Sequence, residues 1–102
     1  MTDRELLELA AKAAGMSLKP EGNRSRASPD GDWWPIWNPL TDDGDALRLA
    51  VKLKMRLDIL HDTNEVSAYG ATRIDEGVRG DPYTATRRAI VRAAAEIGKA
   101  MP

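Results

Sequence analysis

The sequence predicts an α+β fold: a small antiparallel sheet packed with three helices in a single domain spanning residues 1–102. Three observations carry that expectation. Three segments, near 2–14, 42–54 and 82–98, open on helix-capping residues and continue with apolar residues at helical spacing. After the second of them, Met55, Leu57 and Ile59 alternate with Arg56 and Asp58, the period-two pattern of a half-buried strand. Turn-forming prolines and glycines crowd into the stretches between these segments.

Each element has a local reason. Thr2-Asp3-Arg4-Glu5 has the form of a capping box, with Leu6, Leu9, Ala10 and Ala13 as the apolar face behind it and Gly15 as the stop. From Met16 to Trp37 helical periodicity disappears, and Pro20-Glu21-Gly22-Asn23 and Ser28-Pro29-Asp30-Gly31 supply turns. Short strands are expected near 16–19, 24–28 and 32–37. Pro35 and Pro39 hold Trp34 and Asn38 away from helical angles, so nothing before Leu40 should be helical. Thr41 or Asp42 then caps a second helix, with Asp42, Asp43 and Asp45 at its positive end and Arg48, Lys52 and Lys54 toward its negative end. Ala46, Leu47, Leu49, Ala50, Val51 and Leu53 cover about half its circumference, which predicts a mostly buried helix.

The hairpin over 55–72 turns at Asp62-Thr63-Asn64 and returns with Val66 and Ala68 on one face, Ser67 and Tyr69 on the other. Arg73 to Gly80 reads as a charged, glycine-rich loop. Asp81-Pro82 opens the last helix, aspartate as cap and proline where a missing amide costs nothing. Tyr83, Ile90, Ala94 and Ile97 form the centre of its apolar face, with Arg88, Arg92, Glu96 and Lys99 behind. Arg87 falls between Tyr83 and Val91 on the core side, so it requires a carboxylate, an aromatic face or an open groove.

Composition narrows the functional classes. Fifteen basic against sixteen acidic residues give a net charge of -1, so no overall field favours nucleic acid or an anionic membrane. Cysteine is absent, which excludes disulfides and zinc-thiolate sites and fits a reducing cytoplasm. No apolar run approaches the roughly 20 residues that span a bilayer, and no signal peptide is expected.

The run Trp37-Asn38-Pro39-Leu40-Thr41-Asp42, the helix bearing Ala46, Val51 and Lys52, and the late Ala89-Ile90-Val91-Arg92-Ala93-Ala94 resemble the small phage and prophage proteins grouped as the phage ABA-sandwich domain. The first helix suits that family's leucine and alanine run, so the resemblance spans nearly the whole chain; Asp43-Gly44-Asp45 departs from its pattern. The resemblance implies a layered α/β/α-type sandwich with helices on both sheet faces, whereas the strand alternation alone argues for one wet face. It also implies a phage or prophage protein in the cytoplasm of a bacterial host, and it brings no activity and no catalytic residue.

The candidate sites are surfaces. Trp33, Trp34 and Trp37 cannot all enter one core layer if the segment is extended, so with Pro35 they form a candidate protein-binding edge; the competing reading has two of the rings as core plugs. Arg24, Arg26, Arg87, Arg88 and Arg92 form a candidate basic patch for nucleic acid or, on the plainer reading, solvated faces. Asp42-Asp43-Gly44-Asp45 lacks the alternation and the closing glutamate of a calcium loop, so capping accounts for it and no metal is expected. His61, the only histidine, has no serine or cysteine beside it, and no phosphate-binding loop or nucleophile elbow occurs. The expectation is a non-enzymatic module without cofactor that binds a host or phage protein, alone or as a homodimer.

Overall fold

A computed structural model describes residues 1–60 and 62–102. Its elements are α1 (Asp3–Ala13), β1 (Ser17–Glu21), β2 (Arg24–Ser28), α2 (Asp43–Lys52), β3 (Arg56–Leu60), β4 (Glu65–Tyr69), β5 (Arg73–Gly77) and α3 (Pro82–Ala100). The α+β class expected from the sequence is the class observed, with the antiparallel strands divided into a β1-β2 ribbon and a β3-β4-β5 sheet. No helix among the described residues is long and apolar enough to cross a membrane.

The helix starts follow from their caps. The Thr2 hydroxyl accepts from the Glu5 amide at 3.1 Å while the Glu5 carboxylate accepts from the Thr2 amide at 3.3 Å, closing the capping box. Asp42, of the two candidates, caps α2 by accepting from the Asp45 amide at 2.8 Å. Asp81 caps α3, with Pro82 at its first position. Gly15 takes the positive φ of 73° that lets the chain leave α1 and turn into β1.

Two hydrophobic clusters meet on opposite sides of α3. Ala85, Ala89 and Ala93 pack against Val66 and Ala68 of β4, with Leu57 and Ile74 at the edges. On the other side Ile90, Val91, Ala94 and Ala95 join Leu6, Leu7, Ala10 and Ala11 of α1 and Ala46, Leu49 and Ala50 of α2, and Ala27 and Trp37 close this cluster from the ribbon side. The helices therefore lie between two small sheets. The layers are not made by a helix on each face of one sheet: the outer face of β3-β4-β5 carries Arg56, Asp58, Tyr69, Arg73 and Asp75, which are not fully buried. There Arg56 and Arg73 stack on Tyr69 at 4.8 and 5.7 Å from its centroid.

Several sequence expectations change. The stretch expected as a loop after Thr72 contains β5, which pairs Arg73 with Tyr69 and Ile74 with Ala68. Its polar residues are held from outside: Asp75 accepts from the Ser67 hydroxyl at 2.6 Å, and Glu76 on the helix side is paired with Arg92 of α3. The strand expected near 32–37 reduces to one bridge, Arg26 to Ile36, because Pro35 has no amide to continue a ladder. The last helix does not end at Gly98. That glycine is buried where α3 crosses α1, and a Cβ built on it would lie 2.0 Å from the Leu9 carbonyl oxygen.

Two expectations of burial also change. Tyr83 sits ahead of the first buried residue of α3, Ala85, and is exposed instead of central to its apolar face. In α2 only Ala46, Leu49 and Ala50 are buried, leaving Leu47 and Val51 outward.

Candidate functional site

Residues 29–38 form an arm that leaves β2, turns, and returns along it before α2 begins. The turn is organised by two side chains: the Ser28 hydroxyl accepts from the Gly31 amide at 2.8 Å, and the Asp30 carboxylate accepts from the Asp32 amide at 2.9 Å. The Asp32 amide, the Ser28 hydroxyl and the Trp33 amide together hold the Asp30 carboxyl below its ordinary range. The returning strand is tied at two points, Ala27 amide to Pro35 carbonyl at 3.2 Å and Trp37 amide to Ser25 carbonyl at 2.9 Å. Ser25 also donates its hydroxyl to the Trp37 carbonyl at 2.6 Å. Past the bend, the Asn38 amide donates to Asp45 at 2.9 Å and so fixes the arm to the first turn of α2.

This framework separates the three indoles. Trp37 is 7% exposed and belongs to the core, whereas Trp33 is 71% exposed. Trp34 is half-buried; its indole N–H donates to the Gly31 carbonyl at 2.9 Å, and the Lys19 ammonium lies 6.0 Å from its ring centroid. Strict alternation would have placed Trp33 and Trp37 on one face. The arm is not a continuous strand but a single bridge at Ile36, so strict alternation does not hold across it. Trp33, Pro35 and the outward Ile36 border a cleft of about 610 Å³ whose other wall is Met16, Arg48 and Lys52.

The acidic cluster divides its work among three aspartates. Asp42 caps the helix, Asp45 holds Asn38 and Arg48, and Asp43 receives Arg87 at 2.6 Å. Of the three partners its position allows, a carboxylate, an aromatic face or an open groove, Arg87 takes the carboxylate. It also donates to the Leu40 carbonyl at 2.9 Å and to the Thr84 hydroxyl at 3.1 Å, pinning the start of α2 to α3.

The other arginines of the candidate basic patch point to different elements. Arg88 pairs with Asp3 of α1 at 3.1 Å, Arg92 with Glu76 of β5, and Arg26 with Glu21 of β1 at 2.7 Å, while Arg24 is exposed at the start of β2. Four of the five are therefore matched one to one with carboxylates, which leaves little uncompensated positive potential for a phosphate backbone. His61 lies outside the described residues.

One surface was missed by sequence reasoning. Between α2, β3 and the start of α3 runs a groove of about 450 Å³ lined by Ala46, Leu47, Leu57, Ile59, Tyr83 and Ile90, among others. Of its lining, Leu47, Ile59 and Tyr83 are 60%, 64% and 66% exposed, and Val51, one turn after Leu47 on α2, is 68% exposed. The available signal was an excess: α2 carries more apolar circumference than one neighbour can cover.

Compared with protein-family models, curated proteins and solved structures, the chain matches none of them. The functional reading therefore rests on the chemistry of these surfaces.

Proposed function

We propose that the chain is a small non-enzymatic accessory protein of the kind encoded by phages and prophages, acting in the cytoplasm of a bacterial host by binding another protein. Its docking element is the arm from Pro29 to Trp37. The observation that supports this best is the outward Trp33 indole on a backbone fixed by hydrogen bonds on both sides. An ordered arm loses little conformational freedom on binding, and tryptophan is enriched among residues that dominate interface energies. The phage assignment is supported by the tryptophan, proline and threonine-aspartate run described above. The nucleic-acid reading has weaker support, because most of its arginines are already paired with carboxylates of the same chain.

The test uses host-cell extract with the intact chain and with Trp33→Ala as baits. Trp33→Ala is expected to keep the melting temperature, since an exposed side chain contributes within about 0.5 kcal/mol, yet to lose at least tenfold in captured partner. Equal capture by both baits, or no saturable partner for either, rejects the arm as the docking element.

A further inference from the structure

The apolar groove raises a separate question of what covers it. β3 is an edge of its sheet, and its sequence Arg56-Leu57-Asp58-Ile59-Leu60 places Leu57 and Ile59 on the helix side and Arg56 and Asp58 on the outer side. An edge strand with apolar residues facing one way invites another strand. We propose that β3 pairs antiparallel with β3 of a second copy of this chain, about a two-fold axis through Leu57, making one six-stranded sheet across the dimer.

Charge sets the register: within one copy Arg56 already pairs with Asp58 at 3.0 Å, and the two-fold contact extends that pair into a row of four charges alternating in sign. With the axis at Leu57, Arg56 of each copy stands opposite Asp58 of the other, and Ile59 opposite Met55. Moving the register by two residues sets Arg56 opposite itself or Asp58 opposite itself, and like charges directly opposite are unfavourable. Moving it by one sets an apolar residue opposite a charged one and turns the helices of the second copy to the wrong side of the sheet. The even register is self-complementary, as a two-fold contact must be.

The flanking surface fits the same axis. Both copies keep their helices on one side of the joined sheet, so the grooves that α2 and β3 line open toward the same side, with Leu47 and Val51 one helical turn apart on each α2. Leu47, Val51, Ile59 and Tyr83, each more than half exposed, supply the apolar part of the ~800 Å² per partner that a standard interface covers. The strand edge and its charged row supply the remainder.

The opposite edge makes the contrast. β5 repeats the charge pattern in Arg73 and Asp75, but its helix-side row is Ile74 and Glu76, both partly covered, with Glu76 engaged by Arg92. No large exposed apolar side chain is found on β5. The docking arm is also distinct: its cleft is bordered by Arg48, Leu49 and Lys52 of α2, the groove by Asp43, Ala46 and Leu47.

Sedimentation velocity of the intact chain from about 1 µM to about 500 µM tests the proposal, since a micromolar dissociation constant falls within that range. A concentration-dependent dimer is expected. R56D and D58R should each weaken it about tenfold or more, an equimolar mixture of the two variants should restore association, and so should the double exchange R56D/D58R. Ile59→Lys, at an exposed position, should give a folded monomer by circular dichroism. A chain that stays monomeric throughout overturns the proposal, as does a dimer indifferent to these exchanges or a mixture that fails to re-associate. Trp33→Ala should leave the dimer intact, so failure here and failure of the docking arm are read separately.

Discussion

The crossing of α1 and α3 and the flank formed by α2, β3 and the start of α3 are both rich in apolar side chains, yet one is closed and the other open. At the crossing, alanines and Gly98 remove side-chain volume until two backbones nearly touch. On the flank, Leu47, Val51, Ile59 and Tyr83 keep their volume and point away from both clusters. Apolar content alone does not tell a core face from a contact face. Side-chain size does better: small residues mark where the chain meets itself, and large ones without small counterparts mark a surface left over.

Three substitutions sharpen that contrast. The largest effect is expected at the closed crossing. In Gly98→Ala the new methyl has no space beside the Leu9 carbonyl, and the helices must separate at a cost of about 3 kcal/mol, typical of severe overpacking. For a chain of this size that lowers the melting temperature by about 12–20 °C; a shift below a few degrees would show that the crossing tolerates volume.

Arg87, at the border of the two regions, should be intermediate. Arg87→Met keeps most of the stem but removes the contacts to Asp43, the Leu40 carbonyl and Thr84. Because Asp43 is largely exposed, the expected loss is about 1–2 kcal/mol, below that for breaking a fully buried pair. Chemical denaturation measures it, and an unchanged midpoint would mean that the guanidinium does not hold α2. The smallest effect is expected on the open flank: Leu47→Ser in dilute solution should change stability by less than about 0.5 kcal/mol. A loss above 1 kcal/mol would place Leu47 inside a core.

Much of the fold was legible because its signals are local. Thr2 with Glu5, Asp42, and Asp81 with Pro82 each fix a helix start within four residues, and all three helices begin where those residues place them. The β3-β4 hairpin was legible from alternation, down to Val66 and Ala68 on the packed face. β5 was not, because only one residue on its inner row is plainly apolar and its polar residues find partners on β4 and α3. That Arg87 needs a carboxylate, an aromatic face or an open groove could be read from its wheel position, but not which of these it meets, nor that Asp43, distant in sequence, supplies it. The tryptophan segment was legible as a mixture of buried and exposed rings. Which ring did what depended on where Pro35 interrupts the pairing, and the apolar groove depended on which faces found neighbours, which periodicity does not encode.

The position of α3 between the two clusters has a consequence for how the chain is made. Everything that packs on this helix precedes it in the sequence, so a growing polypeptide presents Val66 and Ala68 on one side and Leu6, Ala10 and Leu49 on the other before the segment that seals both is available. Neither half has a closed interior of its own, and the domain is committed to completing itself late and as one unit.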